Sequence, residues 1–219
     1  MKEKFHEYLE NIKKDLIFLS NQVEHNIHQS IKAFVTNDEK LAKKIIDDDK
    51  KIDRTEVEIE DKFLGLLAMQ QPVAVDLRFT VGGLKMNNDL ERIGDHAVTI
   101  ARTVINIDAG KILETKDDIP ALGEMACKML HLAVNAFIHQ DAELGRQVCK
   151  MDNEVDDFYD GFVKRTIEVC KKDRDKLDNG FHYVRIARSL ERIADHSTNI
   201  SEDVIFMKEA KIIRHHFQE

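Results

Sequence analysis

Glu91 and Asp95 stand four residues apart, as do Glu191 and Asp195, each pair inside a string that occurs twice: LERIGDH at 90–96 and LERIADH at 190–196. Residues four apart on a helix are neighbours on one face, so each pair sets two carboxylates side by side. Like charges at that spacing repel by roughly 0.2–0.5 kcal/mol when solvated, and by more when buried, unless a cation offsets them. Upstream of each string the arrangement recurs, as Asp49 with Asp53 and as Asp152 with Asp156. Side-by-side packing of the helices carrying these pairs brings four carboxylates together in each half. Such a set is hard and oxygen-rich, suited to iron, manganese or magnesium, or to zinc if a histidine joins it.

Taken alone, each pair reads as surface chemistry. The apolar stripe Leu90, Ile93, Ala97, Ile100 and Val104 faces a core, and at about 100° per residue Glu91 and Asp95 fall on nearly the opposite side. Recurrence favours the cation reading, because Glu, Arg, Asp and His persist at matched positions while most neighbours have drifted. His96 and His196 point about 100° from the preceding Asp and suit packing as well as ligation. Glu56 and Glu60 have Tyr159 and Val163 as counterparts and are expected to be solvated. His25 with His28, and His215 with His216, lack a carboxylate or Cys partner at useful spacing and are expected to be surface residues rather than ligands. Arg92 and Arg192 are expected to pair with acids across helices, and Arg188, one turn before Glu191, to neutralise part of the second cluster.

The elements that position these groups follow from apolar periodicity. Phe5, Leu9, Ile12, Leu16, Leu19, Val23, Ile27 and Ile31 step by three and four, which predicts a first helix to about Val35. Asn37 or Asp38 caps a second helix running to about Met69, and Pro72 opens a third to about Ile107, with Gly82-Gly83 as a point of kinking. DAGKILETKDDIP is the strongest break in the chain. Beyond it the pattern restarts: a helix from about Ala121 to His139, one capped by Asp141, and one from about Gly180 to Ile213.

The restart keeps register. Ile100 matches Ile200, Val104-Ile105 matches Val204-Ile205, and Lys111-Ile112 matches Lys211-Ile212, all at an offset of 100. In the second helix of each half, Asp38, Leu41, Asp49 and Asp53 match Asp141, Leu144, Asp152 and Asp156 at an offset of 103. This is the signature of an internal duplication. The expected architecture is all-α: two tandem three-helix bundles, residues 1–108 and 119–219, joined by 109–118.

Composition agrees. With 42% apolar and 34% charged residues, no Trp, 9 Gly and 2 Pro, the chain resembles a long-helix protein. A net charge of −8 disfavours nucleic acid as a partner. The N-terminal MKEKFHEYLENIKKDL lacks the apolar core of a signal peptide, and the run FLGLLAM is too short to span a bilayer, so a soluble protein is expected. Cys127, Cys149 and Cys170 fit neither a disulfide framework nor a metal knuckle, which favours a reducing cytoplasm. A di-iron oxidase needs Glu-x-x-His, but Gly94 and Ala194 occupy the third position after each Glu. No nucleophile constellation or Gly-rich phosphate loop appears, so no enzyme is expected. A metal-free helical adaptor is the alternative.

Two LERI(G/A)DH strings in matching third helices, each preceded by a DxxxD pair in the second helix, resemble the PhoU family of phosphate-transport regulators. The tail TNISEDVIFMKEAKIIRH, residues 198–215, adds to the likeness. The resemblance implies two tandem three-helix bundles whose E(D)xxxD motifs hold metal clusters of iron or zinc type. By position these fall on Asp49, Asp53, Glu91 and Asp95, and on Asp152, Asp156, Glu191 and Asp195. It further implies a cytoplasmic negative regulator of the phosphate regulon. Its partners would be the phosphate ABC transporter, through the ATPase subunit, and the sensor histidine kinase PhoR, with membrane contact only through partners. A homodimer is expected on the ground that long apolar helices leave room for an exposed seam.

Overall fold

The computed structural model describes residues 2–211, with side chains described from residue 7 onward. Ile212, the expected end of the last helix at Ile213, His215 and His216 lie outside the described residues, as does the side chain of Phe5. Six long helices follow in order: α1 Lys2–Thr36, α2 Glu39–Gln70, α3 Ala74–Val104, α4 Asp118–His139, α5 Ala142–Lys172 and α6 Leu177–Glu209. No strand occurs among the described residues. α1, α2 and α3 pack on one another, as do α4, α5 and α6, giving the two tandem three-helix bundles.

The duplication extends to the caps. Asp38 accepts hydrogen bonds from the Lys40 and Leu41 amides, each 3.0 Å. Asp141 does the same for Glu143 and Leu144, each 3.0 Å. Just before them, Asn37 and Gln140 both take left-handed backbone (φ 52° and 51°). The Asp38 and Asp141 amides then close onto the Ala33 and Ala136 carbonyls at 2.9 Å. The α1–α2 and α4–α5 corners are thus the same Asx-capped turn written twice.

The α1 stripe from Leu9 to Ile31 is buried, as its spacing requires. α3 runs as one continuous helix through Gly82-Gly83. These glycines serve packing, since a Cβ at Gly82 would meet Met207 of α6 and one at Gly83 the ring of Phe63 of α2. The helix starts at Ala74 rather than Pro72, and α6 starts at Leu177 rather than Gly180, after a 3₁₀ turn at Arg174–Lys176 that periodicity does not reveal.

The bundles share one core. α3 lies against α6, α1 lies against α4, and buried residues of both halves form a single apolar cluster. α3 and α6 run antiparallel: Arg78 Nε donates to the Met207 carbonyl (3.1 Å), Lys85 pairs with Asp203 (3.3 Å), and Asp89 meets His196 (2.8 Å). The halves are therefore related by a pseudo-two-fold. The connection between them is docked, with Leu113 buried and Lys116 Nζ donating to the Val35 carbonyl at 2.8 Å. The stretch Glu114–His139 has the length and apolarity of a membrane-crossing helix, yet just over half of its most apolar window (56%) is buried inside the bundle.

Candidate metal centre

In the second half α5 lies along α6 and brings Asp156, Glu191 and Asp195 together, with one oxygen of each within 4.8 Å of the others. Glu191 is only 7% exposed. Burial and the Asp195 charge push its carboxyl up to about 7, against the pull of Arg188 and Arg192. Asp152, one turn before Asp156 on α5, is pushed up to about 6 by burial and then by Asp156 and Asp195. The nearby Thr198 hydroxyl opposes that rise, although Asp152 Oδ1 and Thr198 Oγ1 are both buried without a hydrogen bond. Asp156 is also raised, by burial and by Asp195. Raised carboxyl groups mark negative charge held together at a cost, which a bound cation offsets.

The first half places its four acids the same way. Asp49 on α2 is pushed up to about 6, first by burial and then by Asp53, Asp95 and Glu91. Glu91 is raised by burial and by Asp95, Glu56 and Asp53. The eight sequence-selected carboxylates thus fall into two groups of four, one per half. The groups differ in tightness: among the described residues, the first has no trio of oxygens as convergent as that of the second.

They differ more in their counter-ions. Arg188 Nη1 donates to Glu191 Oε1 at 2.6 Å, and Arg192 Nη1 to Asp195 Oδ2 at 2.9 Å. The other Glu191 oxygen is buried without a hydrogen bond, 3.8 Å from Arg192 Nε. The expected cross-helix pairing of Arg192 is therefore replaced by pairing along its own helix, since Asp195 is one turn away. In the first half Asn88 stands where Arg188 does, and Arg92 Nε donates to Asn88 Oδ1 at 3.1 Å. The guanidinium that would match Arg192 is thus turned to an amide rather than to a carboxylate of its cluster.

The single difference between the two strings has a packing cause. A Cβ at Gly94 would lie 3.4 Å from Ile52 and 3.7 Å from Asp49 Oδ1. The counterpart of Ile52 is Val155, one methylene smaller, which leaves room for Ala194. Volume is conserved across the pair, as close packing requires.

Several contacts escape sequence reasoning. Glu56 is drawn inward, its carbonyl and Oε1 each accepting from Asn87 Nδ2 at 2.9 Å, contrary to the expected solvation. Only its place on the acidic stripe of α2 hinted at this. His96 and His196 stack across the junction, ring centroids 5.7 Å apart. Burial and His196 depress His96 to about 4, which keeps it neutral. His196 Nδ1 lies 2.8 Å from Asp89 Oδ1. His25 and His28 are exposed, as expected.

Fold and site together define a duplicated helical-bundle protein carrying an acidic cluster in each repeat, with no catalytic constellation visible among the described residues. The family description "PhoU domain" matches residues 16–104 and 119–204, and the chain belongs to the PhoU family. It is 32% identical over 204 residues, 93% of each chain, to a phosphate-specific transport system accessory protein PhoU homolog of Clostridium acetobutylicum. The crystal structure of PhoU from Pseudomonas aeruginosa superimposes with a TM-score of 0.90 at 30% identity, covering 94% of this chain and all of that one (100%). The phosphate transport system regulatory protein PhoU from Streptococcus pneumoniae gives 0.89 at 27% identity, covering 95% and 98%.

Proposed function

We propose that this chain is a metal-binding, cytoplasmic regulator of phosphate uptake. It represses the phosphate regulon through the ATPase subunit of the phosphate transporter and through a sensor histidine kinase, and it has no catalytic activity of its own. Family membership supports the regulatory part. The observation that carries the metal part is the convergence of Asp156, Glu191 and Asp195, with one buried Glu191 oxygen left without a hydrogen bond. Asp49, Asp53, Glu91 and Asp95 would hold a cation in the first half, and Asp152, Asp156, Glu191 and Asp195 in the second. The resemblance to the family favours iron or zinc, while the all-carboxylate donor set itself suits iron, manganese or magnesium. A bound cation would tie α2 to α3, or α5 to α6, by bonds that survive where ion pairs are screened. Homodimerisation belongs to the same reading and rests on the expectation that long apolar helices leave an exposed seam.

One observation favours the alternative of a metal-free adaptor: Arg188 and Arg192 already supply the second cluster with positive charge. A single strain set separates the readings. Deleting the gene should derepress a phosphate-regulon reporter in phosphate-rich medium, and the intact chain should restore repression. Glu91→Gln with Asp95→Asn should lower the metal content of the purified protein by about half on the two-site picture. Unchanged reporter expression on deletion removes the regulatory role. Full repression by a variant that holds no metal leaves the adaptor.

A further inference from the structure

The hairpin tip joining α5 to α6 carries large apolar side chains that no described residue covers. Ile167, Leu177 and Phe181 are 47% to 66% exposed and line a groove with Val163 and Val184. Gly180 makes the groove possible, since a Cβ there would collide with Cys170 Sγ and part the two helices. The duplication repeats the pattern. Leu64, Leu77 and Val81 occupy the equivalent positions on the α2–α3 tip and are 36% to 50% exposed. Isolated surface hydrophobes need no explanation, but a contiguous trio present in both repeats has the character of a contact surface.

Charge distinguishes the two tips. The α5–α6 groove runs past Phe181 and Val184 into a second hollow lined by Arg185, Arg188 and Arg192. Counting Lys171 and Arg174, five cations line the combined surface against one carboxylate, Asp178, in a chain whose net charge is −8. Arg174 and Arg185 have no carboxylate partner among the described residues. The cleft beside Leu64 and Leu84, which lies between the halves, is acidic instead: Glu60 and Asp89 of the first half and Glu202 and Asp203 of α6 line it, with Lys85 as its one cation. An apolar floor with a basic rim suits an apolar stripe flanked by acids.

We infer that the α5–α6 groove, centred on Phe181 and flanked by Arg174 and Arg185, is a docking surface for an acidic amphipathic helix of a partner protein. Leu177, Phe181, Arg174 and Arg185, which carry this surface, belong to neither acidic cluster, whereas Arg188 and Arg192 at its edge are paired with Glu191 and Asp195. Phe181 and Leu177 supply the apolar anchor, and the unpaired guanidiniums select for acids beside it.

The test uses the full chain and a fluorescein-labelled peptide with leucines at helical spacing and glutamates elsewhere, read by anisotropy. Binding should weaken about tenfold or more in Phe181→Ser and in Arg185→Glu, the loss expected for a central anchor. It should weaken with rising ionic strength and stay unchanged in Leu64→Ser on the first tip. All three side chains are exposed, and circular dichroism checks that the variants fold; Arg174→Glu is the substitute if Arg185→Glu does not. Equal binding of a scrambled peptide, or by the variants, overturns the inference. So do two rival outcomes: phosphatidylglycerol vesicles bound in place of the peptide, which assigns the surface to a membrane, and salt-sensitive self-association abolished by the same substitutions, which assigns it to a second copy.

Discussion

Glu191→Gln, measured in metal-free protein, should stabilise the fold at neutral and alkaline pH. Glu191 is raised from 4.5 to about 7, so its ionised form is disfavoured in the native state. A group raised on folding contributes stability that is complete below the unfolded value, near 4.5, and is lost as pH climbs through about 7. At about 1.4 kcal/mol per unit the shift corresponds to roughly 3 kcal/mol. Solvent reaches Asp195 and both arginines and screens their charges, which reduces the gain to about 1–2 kcal/mol. For a chain of this length that is roughly 3–6 °C in melting temperature. Glutamine keeps the shape, cannot ionise and removes the loss, so the variant should melt higher at pH 8 in chelator. The gap should close as pH is lowered towards 4.5, where wild-type Glu191 is protonated too. Adding a divalent cation should reverse the order, because the first cluster stabilises both proteins alike and only the wild type gains the full ligand-linked stability of the second. Calorimetry over this pH range decides the matter. A variant less stable at pH 8 in chelator would show that the Arg188 pair outweighs burial and Asp195, and would refute the reasoning.

Two packing predictions are independent of metal. Gly83→Ala places a methyl 2.7 Å from Phe63 Cε1 in the buried core, so it should cost about 1–3 kcal/mol, seen as a lower urea midpoint with unchanged slope. Asn179 accepts from the Asp108 amide (3.0 Å) and donates to the Asp108 and Lys111 carbonyls (2.8 and 2.7 Å). Asn179→Ala should therefore cost about 2 kcal/mol and speed amide exchange and proteolysis around residues 105–113; equal exchange in both proteins would show that Leu113 alone holds the connection.

Much of this fold is legible locally. The α1 stripe, the Asp38 and Asp141 caps and the offset of the repeats all follow from residue types at fixed spacing, because helix geometry is local. Arg188 was legible for the same reason, lying one turn from Glu191. What periodicity misses is which neighbour covers a face. It puts Glu91 opposite the core of its own helix, and the repeat carries the same placement to Glu191, whereas α5 packs along α6 and Glu191 is buried. The Asp89–His196 contact and the His96–His196 stack join residues about a hundred positions apart across the pseudo-two-fold. No spacing rule reaches contacts of that kind. The short 3₁₀ turns were missed because three or four residues carry no period.

The histidine stack between the halves sits immediately beside both acidic groups. His96 follows Asp95, His196 follows Asp195, and Asp89, which holds His196, is two residues before Glu91. The two repeats therefore meet rim to rim at their most highly charged turns, with no intervening layer to absorb movement. A rotation of α3 that adjusted the carboxylates of the first repeat would carry His96 against His196 on α6. On the metal-binding reading proposed above, this junction predicts coupling between the two clusters: a cation held by one would change the affinity of the other, and the effect would be equal in the reverse direction.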